Sequence, residues 1–450
     1  MFSTHSIDID LLELHERNPS RYPGLLESVA RGNTLSRYDI LFAFPQESLS
    51  LDSTGKLSGE HSQDQTDFLN ALDEWFKAEE LFKESSGLPF NGGWLVYLAY
   101  ELAGEIEPGL KLPKSGSPQL IACALRCPAA IIRDHDTKQI FCVAEDEHKN
   151  LIEIMEQDLI SSDHETQPKN KIDHVAVCMR EEPPQQYIDA VTEIKRYIIE
   201  GDVFQVNLSR QWTGEIENKQ SAVSLYRNLR INNPAPFAGL LQLDDMSIIS
   251  SSPERLVAVK QGQVSTRPIA GTRPRSGNPQ ADLQLAEELL AHPKEQAEHI
   301  MLIDLERNDL GRVCKPGSIE VSELMTLESY QHVHHIVSNV QGRLQDDMSP
   351  ADVIRAVFPG GTITGCPKVR CMEIIAELEQ QPREAYTGSM GYINRDGSMD
   401  LNILIRTLQL KGINLSLRAG AGIVYDSDPD NELNETRAKA QGLLNALDCS

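Results

Sequence analysis

Two pairs of glutamates give the first hint of chemistry. Glu295 and Glu298 lie three apart in KEQAEHIMLIDLERNDLGRV (294–313), and Glu432 and Glu435 repeat that spacing in DNELNETRAKAQGLLNAL (430–447). On a helix, residues three apart share a face about one turn from each other. Carboxylates so close repel unless a cation or a buried proton sits between them. If the two helices face each other, four oxygen-rich side chains meet around one hard divalent ion. Mg²⁺ suits such a set, because it takes oxygen ligands and keeps waters or substrate oxygens in its other positions. The same spacing also makes solvated faces and Glu–Lys pairs, so spacing alone leaves both readings open.

The elements that must carry these groups follow from periodicity. Ile300, Leu302, Ile303 and Leu305 make an apolar flank on a helix spanning 281–306. PPQQYIDAVTEIKRYIIEGD reads as a helix with Tyr187, Val191, Ile194, Tyr197 and Ile198 on one side, stopped by Gly201. Further helices are expected over 65–82, SPADVIRAVF and CMEIIAELEQ. Strands are expected at 36–45, in Gly93–Tyr100, in LIACALRCPAAIIRD and KQIFCVAED around the turn 135–137, and in VFQVNLSRQW, MSIISSSPERLVAVK, YQHVHHIVSNVQGRL, AYTGSMGYIN, MDLNILIRTLQL and INLSLRAGAGIVYD. Strand runs and helices mix without strict βαβ alternation, which points to an α+β fold with antiparallel sheets. The polar stretch 161–182 reads as a linker or surface loop between a region 1–165 and a region 183–450.

At 450 residues with 40% apolar and 24% charged composition, the chain can bury a large core. No run of about 18 apolar residues and no signal pattern directs it to a membrane, and a cytoplasmic protein is expected. The net charge of −25 repels phosphate backbones and argues against nucleic acid. Eight cysteines without CxxC spacing read as reduced, mostly buried thiols.

Ten segments occur in order: FQVNLSR, SSPERL, RPIAGTRPR, AEHIMLIDLERNDLGRV, HHIVS, PGGTITGCPKVR, GYI, NILIRT, AGAGIV and ETRAKA. With them the chain resembles component I of the chorismate-utilising synthases, most strongly from about residue 185 to 445. The resemblance implies two large antiparallel sheets stacked face to face with helices outside, the N-terminal region packing on the catalytic one. It also implies chorismate, a small cyclic dianion, as substrate. The ring carboxylate would be held by Mg²⁺ on Glu298 and Glu435, with Glu295 and Glu432 binding through metal waters. Arg406 and Tyr392 would clamp the enolpyruvyl carboxylate, since an Arg fork pairs two oxygens at once.

Gly271-Thr272, Thr362, Gly365 and the Ala419-Gly420-Ala421-Gly422 loop would bring backbone N–H groups to carboxylate oxygens. Each of these alone reads equally as a tight turn. Lys439 lies one turn after Glu435 on the same helix face. Glu254 aligns with the family's general acid, a role that requires a raised pKa; alone it reads as a strand-end glutamate paired with Arg255. His335 aligns with a residue linked to pyruvate elimination, whereas His332, His334 and His335 by themselves read as strand histidines on alternating faces. Gln205 stands where water-activating relatives carry a lysine. It cannot act as a base, so ammonia is the expected nucleophile, delivered by a glutamine amidotransferase partner.

Two branches of the family remain. Ala270 in the PIxGT motif resembles the branch that makes anthranilate. Asn207, Phe237, Thr364-Gly365 and His334-His335 resemble the branch that makes 4-amino-4-deoxychorismate for p-aminobenzoate and folate synthesis, and these marks outnumber the first. Glu27, Ser28, Tyr38, Pro236 and Phe237 resemble a tryptophan pocket present in both branches, where at most weak feedback by tryptophan is expected.

Overall fold

A computed structural model describes the chain except residues 7–8, 31–35, 64, 82–86, 117, 164–174, 176, 217–220, 330–332 and 448–450. Its strands form a 12-stranded and an 11-stranded sheet, and the pairings within both are antiparallel. Ile40, Phe42, Ile132 and Ile248 of the larger sheet pack against Leu95, Tyr97 and Met390 of the smaller. Each such side chain, once buried, contributes about 1.5–3 kcal/mol. Helices cover the outer faces. Leu11–Arg17, Leu151–Asp163, Ser221–Asn232 and Pro429–Leu444 lie on the larger sheet, and Phe68–Glu79, Pro293–Gly311 and Pro350–Val357 on the smaller. The stacked-sheet α+β architecture expected from the sequence is therefore present.

The two sheets are joined by strands that pass from one to the other. The run LIACALRCPAAIIRD is one strand by pattern but two in fact. Leu120–Cys127 belongs to the smaller sheet and Ala129–Asp134 to the larger, separated at Pro128, which cannot donate to a ladder. MSIISSSPERLVAVK divides in the same way at Pro253-Glu254, and MDLNILIRTLQL divides between Asn402 and Thr407. N-terminal and C-terminal strands also interleave, with Gly24–Glu27 pairing Phe237–Leu243 and Gly93–Leu98 pairing Ser389–Asn394. The regions 1–165 and 183–450 thus share both sheets. Most of the 161–182 stretch lies outside the described residues, and Val175 and Val177 within it are buried in the outer core of the larger sheet.

The expected 281–306 helix is two helices, Pro279–Ala291 and Pro293–Gly311. Pro293 lacks the N–H that a continuous helix needs but fits the first turn of a new one. The restart rotates the second helix so that Ile300, expected on the apolar flank, is 45% exposed while Glu306 is buried. The Pro184–Glu200 helix has the expected buried face and ends at Gly201 in the left-handed conformation, φ +85°. Seven cysteines are free thiols; Cys449 lies outside the described residues. Among the described residues, no helix is long and apolar enough to cross a membrane.

Candidate active site

The chemistry gathers where two of the sheet-to-sheet crossings run side by side. Ile403 N–H donates to the Glu254 carbonyl at 3.0 Å, and Ser251 N–H donates to the Arg406 carbonyl at 3.1 Å. The Ser252 hydroxyl donates to Ile403 O at 2.5 Å and completes the tie. Arg406 takes φ +51°, a conformation uncommon for a residue with a side chain. Glu254 is 5% exposed, and its Oε1 has no hydrogen-bond partner among the described residues. Burial lifts its pKa to about 7, against the lowering effects of the nearby Thr362 hydroxyl, the Ile269 N–H, Arg406 and Lys439. A carboxyl protonated near neutrality in a sealed site can act as an acid. The expected ion pair with Arg255 is absent, because Arg255 forks onto Asp400 instead at 2.8 and 2.7 Å.

His335 projects toward this point from the strand Val333–Arg343. Its Nδ1 pairs with the Thr272 hydroxyl at 2.9 Å. Burial, Arg406 and His334 hold the imidazole neutral, with its pKa down at about 4. His334, on the opposite face, meets Ser329 at 2.7 Å and Asp282 at 3.0 Å; His332 lies outside the described residues. The facing strand carries a bulge between Ala270 and Thr272. Gly271 in this bulge has φ +66°, and a Cβ there would come within 2.9 Å of Glu295 Oε2. Ala270 pairs with Ile336 and is 9% exposed.

Gln205 begins the strand Gln205–Glu215, and its buried Oε1 has no partner among the described residues. It lies against Gly422, where an added Cβ would meet Gln205 Nε2 at 2.5 Å. Gly365 pairs with Val206, and Ala419 and Gly420 pair with Arg210 and Ser209. Lys439 reaches back from its helix to donate to Gly420 O at 3.0 Å. The sites expected on glycine loops are therefore drawn toward one cleft.

The two helices with paired glutamates do face each other. Burial raises the Glu298 pKa, and Glu295, Glu432 and Glu435 push in the same direction while Lys294 opposes. Glu432 is raised by burial and by Glu435, against the Ser427 hydroxyl, Lys294 and Lys439. Lys294 approaches Glu298 at 3.7 Å, Lys439 approaches Glu435 at 2.8 Å, and Arg273 approaches Glu295 at 3.2 Å. Among the described residues, the groups of three whose ligand atoms all lie within 4.8 Å of one another are elsewhere: Glu47, His61 and Glu79, and Glu145, Glu147 and His148. In both, a buried arginine already neutralises a carboxylate, Arg126 on Glu79 and on Glu145. Of the four glutamates, Glu298, Glu435 and Glu295 also have a cation beside them, but no histidine or thiol stands among the four, and their oxygen-only chemistry fits a hard divalent ion.

Tyr392 does not join Arg406. It lies on the strand Ser389–Asn394, with its ring edge-on to Phe90, and faces a second cavity of about 570 Å³. The residue placed at the cleft is Tyr386, which sequence reasoning missed. Its hydroxyl lies 2.6 Å from where a Gly420 Cβ would stand, and burial lifts its pKa to about 12. The available signal was its position in AYTG at the start of the expected strand; in the structure that strand begins only at Ser389.

The second cavity is lined by all five residues expected to form it: Glu27, Ser28, Tyr38, Pro236 and Phe237. Glu27 accepts from the Tyr226 hydroxyl at 2.7 Å and from Arg230 at 3.3 Å, and the Ser28 N–H donates to Asp39 at 3.0 Å.

A buried acid, a neutral histidine and converging cationic and glycine-rich contacts at the junction of two stacked sheets define an enzyme cleft for a small anion. The same fold occurs in the crystal structure of anthranilate synthase component I from Streptococcus pneumoniae, with a TM-score of 0.80 and 32% identity over 92% of this chain and 93% of that one. The model of the chorismate binding enzyme family matches residues 34–445, and the chain belongs to this family. An anthranilate synthase component I-like protein of Synechocystis sp. is 44% identical over 373 residues, covering 80% of this chain and 74% of its own. Aminodeoxychorismate synthase component 1 of Bacillus subtilis is 41% identical over 402 residues, covering 85% and 83%. The chain is thus a chorismate-utilising enzyme.

Proposed function

We propose that the chain aminates chorismate at C4 to give 4-amino-4-deoxychorismate, using ammonia released by a glutamine amidotransferase partner. The observation that carries the chemistry is Glu254, a sealed carboxyl lifted to about 7 beside Arg406. The C4 hydroxyl is a poor leaving group and needs a proton as it departs. Ammonia forms the new C–N bond as the C–O bond breaks; Glu254 gives its proton to the hydroxyl, water leaves, and the nitrogen ends as an ammonium. Arg406 and Tyr386 orient the enolpyruvyl carboxylate, and the Gly420–Gly422 backbone lies against the ring. Glu298 and Glu435, backed by Glu295 and Glu432, would hold Mg²⁺, which neutralises and orients the ring carboxylate when bound. Gln205 offers no base for water. The Ala270 methyl offers no nitrogen for a covalent intermediate, so ammonia attacks directly.

Amination at C4 is supported by Asn207, Phe237, Thr364-Gly365 and His334-His335, and by the Bacillus subtilis relative. Ala270 supports the second reading, in which ammonia enters at C2 and loss of pyruvate gives anthranilate. Purified chain supplied with chorismate, Mg²⁺ and ammonium decides between them. The expected result is p-aminobenzoate only after a separate lyase is added; anthranilate fluorescence without lyase would establish the second reading. In the same assay Glu298→Ala should abolish Mg²⁺-dependent turnover in a folded protein.

A further inference from the structure

The helix that carries Glu295 and Glu298 also carries a buried acid that the reaction above does not use. Glu306 is 5% exposed on the inner face of Pro293–Gly311, in helical register with buried Leu302 and Leu310. Its Oε1 lies 3.4 Å from where a Cβ on Gly361 would stand, and Gly361 directly precedes Thr362, the hydroxyl nearest Glu254. Each of the two acids lies beside a buried hydroxyl, Glu254 beside Thr362 and Glu306 beside Thr266, and Glu254 Oε1 has no hydrogen-bond partner among the described residues. A buried oxygen is very rarely left unpaired, and a polar site of this kind is where ordered water is found.

On its other side Glu306 faces Asp309 and Lys368. Lys368 donates to Asp309 at 2.5 Å and to Val357 O at 3.2 Å, and with 12% of its side chain exposed it brings this chain of groups toward solvent.

We propose that Glu306 is a proton-relay residue that reloads Glu254 after each turnover, through the Thr362 and Thr266 hydroxyls and water held between them. The inference rests on the reading of Glu254 as the general acid. After the C–O bond breaks, Glu254 is a carboxylate and must regain one proton. The Glu306 carboxyl gives it, and the resulting Glu306 carboxylate takes a proton from solvent by way of Asp309 and Lys368, so no proton is created or lost. The groups facing Glu306 set its readiness. Burial, Asp309 and Glu254 lift its pKa to about 8, while Lys368 and the Thr266 hydroxyl pull it down. Those facing Glu254 are Arg406, Lys439, the Thr362 hydroxyl, the Ile269 N–H and Glu306 itself. Two acids of similar acidity exchange a proton at little cost.

The test compares Glu306→Gln, Glu306→Met and Glu254→Gln as full-length chains with chorismate, Mg²⁺ and ammonium. Glu306→Gln and Glu306→Met are expected to lower kcat about tenfold, with the KM for chorismate unchanged, and to shift the alkaline midpoint of the kcat–pH profile downward. The solvent deuterium isotope effect on kcat should also rise. A wild-type pH profile and isotope effect in both folded Glu306 variants would overturn the relay. If Glu254→Gln itself keeps full activity, the reading of Glu254 fails, a result distinct from failure of the relay alone. A rise in KM without a change in pH profile would make Glu306 a packing residue and would equally overturn the proposal.

Discussion

Two places in this molecule each hold a glutamate lifted to about 7 by burial, Glu254 at the sheet crossing and Glu27 in the N-terminal cavity. Their surroundings differ. Glu27 is bound by Tyr226 and Arg230, and Arg230 is itself shared with Asp10. Glu254 keeps one oxygen without a hydrogen-bond partner among the described residues and faces Arg406 and Lys439. Burial sets the acidity in both places, but only an acid with an open oxygen can hand its proton to something new. A raised pKa alone therefore does not mark a catalytic group; the partners decide.

The sharpest way to break this comparison is to neutralise both acids without changing their shape. Glu254→Gln is expected to lower kcat by about 10²–10⁴-fold with the melting temperature kept or raised. Glu27→Gln is expected to leave kcat unchanged and to act on stability, because it weakens a network of Tyr226, Arg230 and Asp10. Steady-state kinetics on the two folded variants would sink the contrast if Glu27→Gln lost as much activity as Glu254→Gln.

A smaller effect tests burial itself. Glu27, Glu101, Glu105 and Glu254 are lifted to about 7 and Glu306 to about 8, each chiefly by burial. Between the unfolded carboxyl value of about 4.3 and these values, the folded chain holds more protons than the unfolded one. Stability must then fall as pH rises through that window. Asp10, Asp134, Glu181 and Glu379 are lowered by their arginine and N–H partners despite opposing burial. They contribute stability above the unfolded value that is lost as pH falls below about 4. The melting temperature should peak near pH 5 (about half a unit above the unfolded carboxyl value) and decline toward pH 8. A flat profile over that range would show that these carboxyls are not buried in solution.

The contrast also explains what could be read from the chain alone. The stacked antiparallel sheets and the helix of 184–200 were legible, because motif and periodicity are local. The crossings at Pro128, at Pro253-Glu254 and at 403–406 were not, since β-patterning continues through them and only pairing partners reveal a change of sheet. The Pro293 restart had a written signal in the proline, yet apolar spacing across it overrode that signal and placed Ile300 inward. The family resemblance pairs Tyr392 with Arg406, but a motif match does not say which face of its strand a tyrosine uses. Which face a tyrosine uses depends on its strand's register, and that register turns Tyr392 toward the N-terminal cavity while Tyr386 enters the cleft. Glu306 was visible as a carboxylate in an apolar stripe, but its nearness to Glu254 depends on how the helix docks.

The smallest expected effect concerns the N-terminal cavity, where an aromatic amino acid would need Glu27 to take its ammonium group. Both Glu27 oxygens are engaged, Oε2 by Tyr226 at 2.7 Å and Oε1 by Arg230 at 3.3 Å. The Ser28 N–H is committed to Asp39. A ligand ammonium must therefore displace internal partners, which offsets most of what the new charge-assisted hydrogen bond contributes. Aromatic walls remain for an indole, including Tyr38, Phe237 and Tyr392. Micromolar tryptophan should accordingly leave chorismate turnover within about twofold of its uninhibited rate, a change worth less than RT and set by apolar contact alone. Glu27→Gln should not alter that response. Strong inhibition at micromolar tryptophan, lost in Glu27→Gln, would show that the network opens to admit the ligand and that the two places are coupled.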